Sequence, residues 1–248
     1  GISRDGQVYN IALRPQATWH DGASVSSDDV IFTIELLRDP DYPAPEDVRS
    51  LWESVEVRRL DEINLQFRLA EPFAPFLDYL TFGVLPAHLL GELSAEEIID
   101  DAFNLDPVGS GPYAFDQLLV QGDEIKGVVL KAYEAYYQGR AFIDQMLFLY
   151  YPDAPSALTA YQNGEVLGIS RITEDILAQA LAEPTLSLYT GRLPELTMIY
   201  FNLGDAELPF FQDVNVRKAL LTGLNRQALI DRTLNGQAIL ASGPILPG

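Results

Sequence analysis

Tyr9, Ile11 and Leu13 fall on every second position of the stretch 7–14, the period of a strand with one face buried. The period lengthens at 26–38, where Val30, Ile31, Ile34 and Leu37 make one apolar stripe of a helix. Ser26, with Asp29 three positions on, opens that helix, and the prolines at 40, 43 and 45 close it. Alternation returns at 54–60 and 63–69, predicting two strands joined at Asp61-Glu62 by a tight hairpin that lacks the glycine preferred there. Short helices are expected at 74–80 and 94–102, the second opened by Ser94 with Glu97.

The character changes after Asp106-Pro107-Val108-Gly109-Ser110-Gly111-Pro112, a Gly/Pro cluster that reads as a crossing between domains. Strand-like runs follow at 113–120, 125–132 and 146–151. A helix at 155–163 stops at Gly164, a strand-like run covers 165–170, and a helix at 173–182 stops before Pro184. Further strand-like runs lie at 185–189 and 196–202. Two helices end the series, at 214–223 capped by Asp213 and at 226–234 capped by Asn225, with Asn235-Gly236 as the stop. Helices and strands mix without an internal repeat, which gives an α/β or mixed α+β class.

Composition adds three constraints. The length of 248 residues suits one large domain or two ordinary ones. Sixteen basic against thirty-six acidic residues give a net charge of −20, spread along the chain, which repels phosphate backbones and anionic lipid and so argues against nucleic acid as a partner. There is no cysteine, hence no disulfide, thiolate nucleophile or cysteine-based zinc site. The most apolar long stretch, 72–90, is broken by Asp78, His88 and prolines and is not expected to span a membrane. The first residues show no basic segment followed by an apolar run, so no signal peptide is read there.

Candidate chemistry centres on Trp19-His20-Asp21-Gly22. Only two histidines exist, His20 and His88, with no His-Glu-x-x-His spacing, and Gly109-Ser110-Gly111 falls short of the Gly-x-Ser-x-Gly of a hydrolase nucleophile. Asp21-Gly22 reads as a turn between strand and helix with Trp19 packed inward, so a structural role is expected for His20. The acidic pairs Asp28-Asp29, Glu96-Glu97 and Asp100-Asp101 sit at helix ends rather than across a cleft, unlike the carboxylates of a glycosidase. Gly109-Ser110-Gly111 reads as a rigid crossing before an anion cradle. No cofactor or metal motif is found.

The run from Tyr9 through Trp19-His20-Asp21-Gly22 to Val30 resembles a signature of the family 5 extracellular solute-binding proteins, the oligopeptide, dipeptide and nickel receptors of ABC importers. Further marks follow in the family's order: Glu71-Pro72-Phe73, Leu85-Pro86-Ala87-His88, Pro107-Val108-Gly109-Ser110-Gly111-Pro112-Tyr113, Gly164-Glu165-Val166, Phe201-Asn202, Asp213-Val214-Asn215-Val216-Arg217-Lys218-Ala219-Leu220, Asn235-Gly236-Gln237 and Ser242-Gly243-Pro244.

The resemblance implies a periplasmic-binding-protein-like type II lobe with the family's extra small domain, incomplete, as in an internal fragment of a longer chain. Residues 1–104 would be the small domain, 105–203 part of lobe I, and 204–248 the start of a truncated far lobe. It implies a binding protein and not an enzyme. Such a protein captures a peptide between two closing lobes and delivers it to a membrane permease, with a nickel chelate or oligosaccharide as alternative ligands and a carboxylate-based hydrolase as the rival reading. A periplasmic or extracellular place, with a lipid anchor in the full-length protein, and a monomeric state go with it.

Ser170, Arg171, Met198 and Tyr200 align with pocket-lining positions of the peptide receptors. Arg171 is read as the partner of a ligand carboxylate or as a surface ion pair, and Tyr200 as a stacking or hydrogen-bonding ring. Met198 stands where an aromatic is common and suggests an adaptable apolar wall. Leu167 stands where the family usually carries aspartate, a departure that touches the geometry around Ser170.

Overall fold

The alternation at the start becomes β1 (Val8–Ala12), which pairs antiparallel with β3 (Asn64–Leu69) with Tyr9 opposite Phe67 and Ile11 opposite Leu65. On the other side of β3 runs β2 (Val55–Arg59), giving a three-stranded antiparallel sheet in the order β1-β3-β2. The structure is a computed structural model that describes residues 1–191, 195–241 and 243. It divides into two compact units, Gly1–Tyr150 and Tyr151–Gly248.

Within the first unit, α1 (Ser27–Arg38) begins in the predicted way. The Ser26 hydroxyl accepts from a first-turn amide while the Asp29 carboxylate accepts from the Ser26 amide. Arg38, in its last turn, donates to the carbonyls of Trp52 and Val55 at 2.9 and 2.6 Å, which ties the end of α1 to the start of β2. A helix not expected from the sequence, α2 (Glu46–Ser54), fills the space between them. Its apolar positions Val48, Leu51 and Trp52 carry the helical period, but the run is short and follows directly on a proline-rich stretch.

Trp52, Phe67 and Phe76 are almost wholly buried and meet as a ring cluster. Trp52 lies 6.1 Å from Phe67, 6.0 Å from Phe76 and 5.3 Å from Phe82 between centroids, and Tyr9 closes on Phe76 at 4.8 Å. The cluster is sealed by the 3-10 helix Ala74–Leu80, whose Phe76 points inward. A second cluster gathers Leu36, Leu90, Ala95 and Ile98 beneath α3 (Ala87–Leu90) and α4 (Ala95–Asp100).

The turn between β2 and β3 differs from the two-residue hairpin expected at Asp61-Glu62. It takes four residues, 60–63. The Asp61 carboxylate accepts from the amides of Ile63 and Asn64 and from the Asn64 side chain, so a side chain supplies the turn that glycine would otherwise allow. Those bonds, that from Ile63 foremost, hold the Asp61 carboxyl below its ordinary range.

After the crossing, β4 (Tyr113–Gln121), β5 (Glu124–Ala132) and β6 (Gln145–Leu149) form a second antiparallel sheet in chain order. Two register shifts bend the β4–β5 hairpin, between Phe115 and Gln117 and between Leu119 and Val120. Both sheets are antiparallel, so of the two classes left open by the sequence the structure is mixed α+β. The stretch 1–104 carries the first sheet and both clusters, and shares the first unit with the second sheet.

The second unit is helical among its described residues. Asp153 caps α5 (Ala154–Gln162) by accepting from the Ser156 amide, and Gly164, with φ +75°, ends it. α6 (Glu174–Ala182) packs Ile176, Leu177 and Ala180 inward, as α5 does Leu158 and Ala160. A 3-10 helix, Pro209–Gln212, precedes α7 (Val214–Gly223) and α8 (Arg226–Thr233), whose first turns are capped by Asp213 and Asn225 as expected. The strand-like runs at 165–170, 185–189 and 196–202 form no strand among the described residues. Period-two sequence supplies one face of a ladder but not its hydrogen-bonding partner, and no strand among the described residues pairs with them.

Candidate functional site

Ser170 and Arg171 lie in the irregular segment between α5 and α6, both exposed. Arg171 forms no ion pair among the described residues. Met198 and Tyr200 lie in an extended segment, 45% and 81% exposed. They meet each other: the Tyr200 hydroxyl donates to the Met198 sulfur at 3.8 Å. Phe201 turns the other way and packs on Phe211 with centroids 4.8 Å apart. The structure thus joins Met198 with Tyr200, while no hydrogen bond among the described residues links them to Ser170 or Arg171. Leu167, at the departure from the family pattern, is fully exposed. Ser242 and Pro244, part of the last mark of resemblance, lie outside the described residues.

A shallow depression of about 360 Å³ opens along the first turns of α5, lined by Tyr151, Asp153, Ser156, Thr159 and Asn163 among others, and holds none of the four candidates. The residues lining it are occupied locally. Asp153 caps its helix and has its carboxyl held low by Ser156, and Thr159 donates back to the Pro155 carbonyl.

The histidine turn is better built than either. Trp19 is 1% exposed, and its indole N–H donates to Asp29 at 3.3 Å. The His20 amide donates to the Gly109 carbonyl at 2.8 Å, and the Gly109 amide returns a bond to His20 Nδ1 at 3.2 Å. His20 Nε2 lies 3.0 Å from the Gly111 carbonyl oxygen. A nitrogen that accepts from an amide carries no proton, and one facing a carbonyl must donate, so the ring is neutral with its proton on Nε2. Tyr133 stands edge-on to His20 at 4.9 Å and donates its hydroxyl hydrogen to the Trp19 carbonyl at 2.8 Å, while Thr18 Oγ1 lies 2.9 Å from the Tyr133 hydroxyl oxygen. The turn therefore clasps the crossing 107–112 and the end of β5.

The second histidine comes to the same turn. His88 Nε2 lies 2.7 Å from Asp21 Oδ2. Partial burial works against the Asp21 carboxylate, but the bonds from His88 and the Ala23 amide outweigh it and hold the carboxyl below its usual range. Asp29 is the deeper hub. At 3% exposure its carboxylate accepts from the Ser26 amide (2.7 Å), the Ser26 hydroxyl (3.2 Å), Trp19 (3.3 Å) and, through its other oxygen, the Ala87 amide that starts α3 (2.8 Å).

The remaining acidic pairs are divided in the same way. Asp28 pairs with Arg59 at 2.8 Å, Glu97 completes the cap of α4, and Asp101 caps the 3-10 helix Ala102–Asn104. Glu96, Glu97, Asp100 and Asp101 line one shallow depression of about 530 Å³ together with Leu93 and Ala102, while Asp28-Asp29 lies elsewhere, divided between Arg59 and the Trp19 turn. Among the described residues no group of three His, Cys, Asp or Glu side chains converges in a way that holds a metal ion.

Sequence reasoning found the structural character of His20 and the inward Trp19. It missed Tyr133, the meeting of His88 with Asp21, and the reach of Asp29 to Ala87. The last has a faint signal in Pro86-Ala87, a proline followed by a short apolar helix. Replacing His20 with alanine removes two side-chain bonds to the crossing and is expected to lower unfolding stability by about 1.5 kcal/mol. Ligand affinity, measured by titration calorimetry on the folded variant, should stay within a factor of two or so; a stable variant that has lost ligand would reverse the structural reading.

Comparison with known proteins is uniform. The family model described as "Bacterial extracellular solute-binding proteins, family 5 Middle" matches residues 1–248. The oligopeptide-binding protein AppA of Bacillus subtilis is 28% identical over 247 residues, covering 98% of this chain and 44% of that protein. Among solved structures, NikZ from Campylobacter jejuni in complex with Ni(L-His) superposes with a TM-score of 0.73 at 28% identity, over 99% of this chain and 47% of that one. AppA from Bacillus subtilis in complex with a nonapeptide gives 0.70 at 26% identity, over 100% of this chain and 48% of that one. The chain spans about half the length of the relatives it matches.

Proposed function

Because the chain belongs to the bacterial extracellular solute-binding proteins of family 5, we propose that it is part of the capture component of an ABC importer. It takes up a peptide outside the cytoplasmic membrane and passes it to a permease, without chemical turnover. The observation that carries this reading is the likeness, along the whole chain, to a protein solved with a nonapeptide. Residues 1–104 would be the family's small extra domain, 105–203 part of lobe I and 204–248 the start of the far lobe.

In this reading Ser170, Arg171, Met198 and Tyr200 line the ligand site. An exposed guanidinium without an ion pair among the described residues suits a peptide carboxylate, which Arg grips bidentately. The exposed Tyr200 ring offers a stacking surface, and the Met198 thioether beside it is soft enough to accept varied side chains. A second reading follows from the protein solved with Ni(L-His): the ligand is a metal chelate that brings its own donor atoms, and Arg171 meets its carboxylate.

The test is native mass spectrometry of ligands that co-purify with the protein as its gene encodes it in full, followed by titration calorimetry with what is found. A peptide supports the first reading and a nickel chelate the second. Neither binding at any concentration tried would overturn both. Arg171→Ala is expected to weaken binding by about tenfold to a hundredfold, the worth of a charge-assisted hydrogen bond or two. Its unfolding midpoint should not move, because the side chain is exposed and makes no ion pair among the described residues.

A further inference from the structure

The His20 clasp is a polar device of the first unit, whereas the four proposed ligand residues belong to the second. Three elements converge on it. The turn brings His20 with Asp21, the crossing 107–112 brings Gly109 and Gly111, and the end of β5 brings Tyr133. The stretch 107–112 carries no titratable side chain, and Asp106 precedes it. The ionisable groups around the ring are therefore Tyr133, bonded to the Trp19 carbonyl, and the Asp21–His88 pair beside it.

We propose that His20 is a pH-sensitive latch on the crossing: the neutral imidazole holds the Gly109 amide and the Gly111 carbonyl, and the doubly protonated ring gives up the Gly109 amide while the His20 backbone amide keeps the Gly109 carbonyl. The reason lies in the hydrogen-bond roles. In the neutral ring Nδ1 offers a lone pair to the Gly109 amide while Nε2–H donates to the Gly111 carbonyl. A proton from solvent taken up on Nδ1 turns that acceptor into a donor, leaving two N–H groups face to face. The bond to Gly111 survives and the bond from Gly109 does not. The crossing joins the first sheet to the second, so the loss of one of its three bonds to His20 weakens that connection without undoing it.

The neighbouring pair acts in the opposite sense. A protonated His88 makes an ion pair with Asp21, whereas a protonated His20 loses the Gly109 amide. The two effects are separable because one concerns the Asp21 carboxylate and the other the Gly109 amide.

A crowded contact supports the tight fit of the latch. A β-carbon placed on Gly109 would stand 3.2 Å from His20 Cε1, so the ring seats against bare backbone. The proposal does not depend on the ligand, and its failure would leave the solute-binding reading untouched.

The experiment is ¹⁵N NMR of the two imidazole rings together with amide exchange, on the complete protein. At pH 8 His20 is expected to show an unprotonated Nδ1 and a protonated Nε2. Between pH 7.5 and 5 the protection factor of the Gly109 amide, corrected for intrinsic exchange, should fall roughly tenfold, while that of Phe67 in β3 stays level. His20→Gln retains one acceptor and one donor on a group that does not titrate, and should abolish the fall. His88→Gln should leave it in place. A His20 ring protonated on Nδ1 at pH 8, a Gly109 protection that does not change with pH, or an equal fall in His20→Gln would each overturn the latch. The first two need no variant, so a His20→Gln protein that failed to fold would not shelter the proposal.

Discussion

Replacing Phe76 with alanine should cost the first unit about 4 kcal/mol, the largest effect of any single substitution considered. Truncating a buried phenylalanine removes its transfer free energy and leaves a cavity that the surroundings close only in part. Phe76 has no exposed surface, and its ring touches Tyr9, Trp52 and Phe67 from three elements: β1, α2 and β3. It also belongs to a 3-10 helix that has no other fully buried side chain, so the helix loses its only deep anchor. Urea unfolding followed by circular dichroism measures the change. A loss under about 1.5 kcal/mol would mean that the rings around the site repack far more than such clusters do.

Asp29→Ala is expected to cost about 3 kcal/mol. The cost comes less from the lost bonds than from the donors left behind. The Ser26 amide, the Trp19 indole and the Ala87 amide all point at the same buried carboxylate, and none of them has another acceptor within reach of a side chain that short. Asp29→Asn keeps one oxygen but turns an N–H₂ toward at least one donor, so about 2 kcal/mol is expected there. Differential scanning calorimetry of the two variants orders them, and an asparagine variant as stable as the parent would show that the carboxylate charge is not needed to satisfy the hub.

What the sequence made legible is what local chemistry determines. Ser26 with Asp29 and Ser94 with Glu97 complete their bonds within four residues, and both caps appear where the spacing put them. The strands 7–14, 54–60 and 63–69 carry enough period-two signal to survive as β1, β2 and β3 because each finds a partner in the same sheet. The run 196–202 has the same period but no ladder to join among the described residues. Its alternation survives only as the Met198–Tyr200 contact and the Phe201–Phe211 stack. The helix 46–54 was hidden by its neighbourhood, since three prolines just before it suggest a loop that in fact ends at Pro45.

The clasp was illegible for a different reason. His20 and Gly109 stand 89 positions apart, and Tyr133 lies 115 from Thr18. A lone histidine and a Gly/Pro cluster each give a bland local reading, and nothing in either names the other. The candidate ligand residues show the same limit: Met198 and Tyr200 are linked by period, while Ser170 and Arg171 rest on their place after Gly164 and on the family likeness alone.

The chain has two tryptophans, and both of them, Trp19 and Trp52, are buried in the first unit. Intrinsic fluorescence excited near the red edge is therefore an optical window on that unit alone, one indole beside the Asp29 hub and the other inside the ring cluster. The proposed ligand residues are in the other unit, which has tyrosines but no indole. A tryptophan placed at Tyr200 would give that unit a signal of its own, so that its unfolding and its encounter with solute are followed separately from those of the scaffold.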